Sequence, residues 1–226
     1  KDNIMDKLIY MDNAATTSTA PEVVSAMLPF FTEYYGNPSS VYNFAQKSKM
    51  AIEDAREIIA DSIGAAKSNE IYFTGGGSES DNWALKSAAF GLRNKGNHII
   101  TTKIEHHAIL NTCAYLEKNG FEITYLDVDS EGFVSLEDVE NAITEKTILI
   151  SVMFANNEIG TIQPIEEIGA IAKEHGILFH TDAVQAYCQV PIDVDKMHID
   201  MLSISGHKIN GPKGIGFLYI RTGVKI

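Results

Sequence analysis

Cysteine is scarce in this sequence: Cys113 and Cys188 are the two thiols in 226 residues. Two thiols cannot build a multi-disulfide framework, so a reduced, cytoplasmic setting is the simpler reading. Basic residues are also in short supply, 18 Lys plus Arg against 30 Asp plus Glu, for a formal charge of −12. That balance disfavours nucleic acid as the main ligand, because a phosphate backbone calls for a basic face. A buried anion site remains compatible with it. No apolar run reaches the length of a transmembrane helix, and residues 1–10 hold no apolar signal-peptide centre, so no membrane role is expected. Repeats, low-complexity runs and Ser/Gly linkers are missing too. The chain opens on Lys1 instead of Met and closes on Val224-Lys225-Ile226 without a turn or cap signal, so both edges are expected to be cuts.

What is present is a 45% hydrophobic share with 21% charged residues, the composition of a globular chain with one substantial core. Short β-rich runs alternate with helix-patterned stretches. Residues 71–74, 98–101, 122–126, 147–154 and 177–181 read as strands, and a further buried strand is expected just before Ser205. Residues 78–95, 107–119, 136–143 and 165–175 read as helices. The alternation predicts an α/β fold with a mostly parallel central sheet sandwiched by helices. Residues 21–35 and 41–63 also read as helical, with Asn37-Pro38-Ser39-Ser40 supplying a break and a capping hydroxyl between them. In the second of these, Val41, Phe44, Ala51, Ile52, Ala55, Ile58, Ile59 and Ile63 form a stripe expected to pack on the core.

Three segments are candidates for chemistry. In Phe73-Thr74-Gly75-Gly76-Gly77-Ser78, a strand runs through three glycines into a helix. Backbone N–H groups can crowd a ligand there, and the helix start adds unpaired donors and a positive dipole end, which suits a phosphate. The alternative is a glycine turn capped by Ser78. The segment is neither a dinucleotide fingerprint nor a Walker loop, since Ser80 stands at the third glycine and no Lys follows. In Phe179-His180-Thr181-Asp182-Ala183-Val184-Gln185, Asp182 ends an apolar run, where parallel sheets present ligands, and shares a face with His180. It can accept a hydrogen bond from a protonated ring nitrogen, or it can be a simple helix cap. In Ser205-Gly206-His207-Lys208, Lys208 is placed in a tight loop where its amine can be activated for Schiff-base chemistry, or it can be a solvated charge. Lys213, between glycines, reads as a plain loop lysine. Glu105-His106-His107 and Asn156-Asn157 are further polar clusters. No metal site is expected, because the histidines lack ligand spacing.

One ligand would satisfy a phosphate cradle, a carboxylate for a ring nitrogen, a flat His and a reactive Lys together: pyridoxal phosphate. Met11-Asp12-Asn13-Ala14-Ala15-Thr16-Thr17, Gly36-Asn37-Pro38-Ser39-Ser40, residues 74–82, Glu105-His106, Asn156-Asn157-Glu158-Ile159-Gly160, residues 180–185 and Ser205-Gly206-His207-Lys208 resemble cysteine desulfurases of the NifS/IscS type, in family order from Tyr10 to about Arg221. These belong to the class V aminotransferases, and the resemblance implies the large domain of a pyridoxal-phosphate-dependent transferase. It implies that Lys208 holds the cofactor and moves protons, that Asp182 pairs with the ring nitrogen, and that His106 stacks on the ring and acts as acid or base. Gln185 would bond the phenolic oxygen, Asn157 would lie near it and the substrate carboxylate, and Gly77, Ser78, Ser205 and His207 would cradle the phosphate. Gly77-Ser78 replaces a common Ala-Thr and Gly75 a common Ser, with the hydroxyl kept.

The implied reaction converts L-cysteine to L-alanine, with sulfur passing to an enzyme cysteine as a persulfide for iron-sulfur cluster assembly or other sulfur metabolism. A homodimer and sulfur-acceptor or scaffold proteins are implied as partners. In the family the nucleophilic cysteine and a carboxylate-clamping arginine lie further toward the C-terminus. The expectation is therefore a large domain over residues 21–226, cut before a small domain, with residues 1–20 packing against that domain. Cys113 and Cys188 are both expected to be structural, and the chain alone to have little or no sulfur-transfer activity. The alternatives are a selenocysteine lyase or aminotransferase, a cofactor-binding fragment without activity, and a metal hydrolase built on His106, His107 and His180.

Overall fold

Alternating apolar residues on short strands decide the architecture. In the computed structural model, which describes residues 9–225, Ile99, Leu149 and Met201 point into one buried cluster, while Ile100, Ile150 and Leu202 point into another. Adjacent residues thus serve opposite faces of one sheet, as a period of two requires. The strands are β1 (Ile71–Thr74), β2 (His98–Thr102), β3 (Glu122–Leu126), β4 (Thr147–Ser151), β5 (Leu178–Asp182), β6 (Met201–Ser205) and β7 (Gly216–Ile220). They form one seven-stranded sheet in the order β1-β7-β6-β5-β4-β2-β3. Pairs among β6, β5, β4, β2 and β3 are parallel, and β7 runs antiparallel between β1 and β6.

Helices cover both faces. Ala84, Leu85, Ala88 and Ala89 of α4 (Gly77–Gly91) and Ile109, Cys113 and Leu116 of α5 (His107–Lys118) close one cluster. Ala60 of α3 (Asn43–Ser62), Val139 of α6 (Leu136–Asn141) and Ile168 and Ala172 of α7 (Ile165–Glu174) close the other. Strands buried on both faces explain why β2, β4 and β6 carry no exposed residue. The α/β sandwich and its mostly parallel sheet are as the sequence predicts. β7 is the strand the sequence reading did not name; it follows a Gly-Pro-Lys-Gly turn and enters the sheet against the grain.

Local expectations differ in four places. The helix expected over 21–35 is two, α1 (Pro21–Met27) and α2 (Pro29–Thr32), because Pro29 offers no N–H to continue the first. Neither Ser39 nor Ser40 caps α3; its N-cap is Tyr42, with no side-chain cap bond. The α3 stripe packs only in part. Ile63 is fully buried, whereas Val41, Phe44 and Ile58 are exposed, so most of that face is not core. The strand expected to reach Phe154 ends at Ser151, although Phe154 still donates to the Asp182 carbonyl at 2.8 Å. Among the described residues no helix is long and apolar enough to cross a membrane.

Candidate active site

Strands β1, β2, β4, β5 and β6 all end at the same edge of the sheet, and the loops leaving them bound a cavity of about 450 Å³. Its lining includes Gly77, Ser78, His106, Asn157, Asp182, Gln185, Ser205, His207 and Lys208, every residue singled out in the sequence for catalysis or cofactor binding. An open α/β sheet places ligands at this edge because strand ends and helix starts converge there.

The first wall is the β1–α4 junction. The N-cap of α4 is Gly76 at φ 144°, a conformation an L side chain rarely adopts, and not Ser78, which lies inside the first turn. A β-carbon on Gly77 would stand 2.7 Å from Val184 Cγ2. The chain therefore passes close to the β5 loop at this point, leaving free N–H groups of a long helix facing the cavity. Ser205 and His207 add donors from the β6 loop, and Lys213 lines an adjoining recess with Ser78. Neutral donors beside a helix N-terminus are the features that favour an anion, here in an otherwise acidic chain.

The floor is a carboxylate. Asp182 ends β5, is buried, and accepts the Val184 N–H at 3.0 Å. Burial raises its pKa, while that N–H and the charges of His106 and Lys208 pull the other way. One side chain both accepts this local bond and lines the cavity. His180 is turned away from any ligand: its ring lies between the Ser151 hydroxyl at 2.9 Å and the Ser203 hydroxyl at 2.9 Å, and burial drives its pKa down to about 3. A neutral imidazole locked between hydroxyls is a structural group.

Lys208 sits in the 3₁₀ turn Gly206–Lys208 that follows β6. Its amine donates to the carbonyls of Ala14 and, at 2.8 Å, of Ala15. Burial lowers its pKa, opposed by Asp12 and Asp182. An amine of lowered pKa is unprotonated more of the time near neutral pH, and the unprotonated form is the one that attacks a carbonyl. The N-terminal segment holds this loop: Thr17 donates its hydroxyl to the His207 carbonyl at 2.9 Å and accepts the Asn210 N–H at 2.8 Å. Gln185 reaches the same segment, donating to the Ala14 carbonyl at 2.9 Å.

The third wall carries His106, the N-cap of α5, whose Nδ1 accepts the Ala108 N–H at 3.1 Å. Its neighbour Glu105 is buried and accepts from the Thr102 hydroxyl at 2.7 Å and the Met153 N–H at 2.9 Å. Burial pushes the Glu105 pKa up to about 8. Asn156 accepts the N–H groups of Glu158 and Ile159 and donates to the Ile104 carbonyl at 3.0 Å, binding this loop to the next and setting Asn157 on the cavity wall.

Sequence reasoning missed Asp81. It lies on α4, is 1% exposed, and lines the cavity with Asp182. Its signal was weak, one acid among Ser78, Glu79 and Ser80, and only the fold turns it inward. Among the described residues, the metal-capable group of three is Asp81, His106 and Asp182, with ligand atoms within 4.8 Å of one another. The histidine set imagined for a metal hydrolase is not assembled, since His180 is engaged by serines. Cys113 is a buried core thiol with its pKa raised to about 12. Cys188 departs from expectation: it is exposed, at φ 63°. Neither lines the cavity.

Fold and cavity together define a doubly covered α/β domain with an anion cradle, a buried carboxylate and a perturbed lysine at the carboxyl edge of its sheet. The chain belongs to the aminotransferase class-V family, whose profile matches residues 9–225. It is 64% identical over 222 residues to "Cysteine desulfurase IscS" of Clostridium botulinum (strain Kyoto / Type A2), covering 98% of this chain and 56% of that protein. It is 64% identical over 221 residues to the protein of the same name from Methanosarcina thermophila, covering 98% and 54%. The chain thus spans just over half the length of these curated relatives. Among solved structures, "SspA in complex with cysteine" matches at a TM-score of 0.92 and 51% identity, over 95% of this chain and 62% of that one. A "NIFS-LIKE PROTEIN" matches at 0.93 and 44%, over 96% and 60%.

Proposed function

We propose that this chain is the cofactor-binding large domain of a pyridoxal-phosphate-dependent cysteine desulfurase, which converts L-cysteine to L-alanine. The observation that carries this reading is the meeting of Lys208 and Asp182 in one cavity whose far wall is the Gly77-Ser78 helix start. The residues fit the cofactor: donors for a phosphate, a buried carboxylate for a cationic ring nitrogen, and an amine of lowered pKa for the aldehyde. When bound, the cofactor supplies an electron sink that labilises bonds at the α- and β-carbons of an amino acid.

The chain's own residues divide the remaining work. Lys208 would hold the cofactor and carry a proton to and from the substrate α-carbon. Asp182 would keep the ring nitrogen protonated, and His106 would serve the ring. Gln185 would bond the phenolic oxygen, Asn157 would serve the substrate carboxylate, and Gly77, Ser78, Ser205 and His207 would hold the phosphate. In the overall reaction the Cβ–Sγ bond of cysteine breaks, a thiolate of the enzyme takes the sulfur as a persulfide, and alanine leaves. Cys113 is buried and Cys188 lies off the cavity with its thiol pKa raised, so the sulfur-accepting thiol is a different one. A homodimer, sulfur-accepting proteins, iron-sulfur cluster assembly and a cytoplasmic setting complete the reading, supported by the kinship with IscS.

Reconstitution with pyridoxal phosphate tests it. Wild type should acquire a visible absorption band that Lys208→Ala lacks, and the intact enzyme should release alanine from L-cysteine. A wild type that stays colourless and leaves the cofactor free overturns the reading.

A further inference from the structure

A polar file that the proposed chemistry does not use runs through the sheet to the cavity wall. It runs from Ser151 on β4 through His180 on β5 and Ser203 on β6 to Asp81 on α4. The His180 ring spans the two serines at 2.9 Å each, and its Nε2 stands 3.7 Å from Asp81 Oδ1. That oxygen is fully buried and has no hydrogen-bond partner. On its other side Asp81 faces Asp182, and one ligand atom each of Asp81, Asp182 and His106 lie within 4.8 Å of one another.

Two buried carboxyls this close cannot both ionise without a large electrostatic penalty. The surroundings decide which keeps the proton. Asp182 accepts the Val184 N–H at 3.0 Å and is faced by His106 and Lys208. Asp81 is faced by the carboxyls of Asp182 and Glu105, with the Ser203 hydroxyl the one group that favours its charge. The adjacent His180 is neutral and brings Asp81 no compensating charge. Burial and the like charge of Asp182 push the Asp81 pKa well above the usual carboxylate range.

We propose that Asp81 is a positioning residue: it holds the single proton of this carboxyl pair and so leaves Asp182 as the carboxylate that meets the cofactor's ring nitrogen. Its use to the enzyme rests on the cofactor reading above, whereas the protonation of Asp81 is measurable in the protein alone. A neutral partner behind Asp182 also spares the site a second buried charge whenever the cofactor is absent.

Infrared difference spectra of wild type against Asp81→Asn, taken near neutral pH without cofactor, test the protonation directly. The expected result is the carbonyl stretch of a protonated carboxyl in wild type, shifted in heavy water and missing in the variant. Carboxylate bands alone in that difference overturn the proposal. Labelling aspartate carboxyls with carbon-13 moves the same band in wild type, so the result does not depend on how well the variant folds. A fluorescence titration with pyridoxal phosphate forms the second arm. Asp81→Asn, neutral and isosteric, should bind within about threefold of wild type. Asp182→Asn, which loses a charge-assisted bond, should weaken binding by about tenfold or more. An Asp81→Asn loss as large as that of Asp182→Asn identifies Asp81 as an anion and overturns the proposal. If wild type itself binds no pyridoxal phosphate, the cofactor reading fails, and the infrared band still decides Asp81.

Discussion

Glu105 accepts the backbone N–H of Met153 at 2.9 Å, tying the end of β2 to the end of β4 across 48 residues of sequence. The bond is buried, and the residue after Glu105 is His106, which caps α5 and lines the cavity. A side chain that no ligand touches thereby sets the height of one that faces the ligand.

Glu105 stores a pH dependence. Its pKa rises on folding from 4.5 to about 8 through burial. A raised folded value means the stabilisation is complete below about pH 4.5 and is lost as pH rises through about 8. Glu105→Gln keeps both accepted bonds and abolishes the titration. Between about pH 5 and pH 8 the wild type should lose roughly 3 kcal/mol that the variant keeps. Urea unfolding of both proteins at the two pH values measures the difference; parallel curves refute it.

His180 acts at the opposite limb. Burial lowers its pKa from 6.5 to about 3, so the contribution is present above about pH 6.5 and fades as pH falls toward 3. Wild type should lose about 2 kcal/mol between about pH 7 and pH 5 from this group. His180→Gln, which can still bond Ser151 and Ser203, should flatten that limb in thermal melts. An unchanged acid slope would show that His180 titrates normally.

The anion cradle depends on a close approach. A β-carbon on Gly77 meets Val184 Cγ2 at 2.7 Å, and a β-branched side chain cannot swing aside cheaply. Gly77→Ala should cost about 1–3 kcal/mol of stability and weaken phosphate and pyridoxal phosphate binding together. Adding Val184→Ala should restore most of both, read by calorimetric titration. Failure of the second change to rescue would place the cause in the helix start itself.

Thr17 fastens the N-terminal segment to the lysine loop through two hydrogen bonds, at 2.9 and 2.8 Å. Thr17→Val should cost about 1–2 kcal/mol and raise hydrogen exchange at Asn210, whose N–H loses its acceptor. Unaltered exchange there would mean the segment is held by other contacts.

Much of the site was legible because its residues sit in short local signatures at strand ends. Gly77-Ser78, Asp182 and Ser205 to Lys208 each follow a β-rich run, and an α/β pattern brings such ends to one edge. Asp81 was not legible: four polar residues in the first turns of α4 look alike until the helix is docked and one face turns inward. The α3 stripe misled for the opposite reason. Helical periodicity identifies an apolar face, but burial needs a covering surface, and Val41, Phe44 and Ile58 stay exposed.

The order of apolar and polar residues by itself determined the alternating elements, the two-sided burial of the sheet and the loops that carry chemistry, because periodicity and glycine placement act within a few residues. Tertiary structure decided the rest. It set β7 antiparallel among parallel strands, sent His180 into a serine clamp while leaving Asp182 at the cavity, and placed Asp81 behind it. Which acid keeps a proton depends on dielectric and on neighbours drawn from distant parts of the chain, and only the packed fold supplies both.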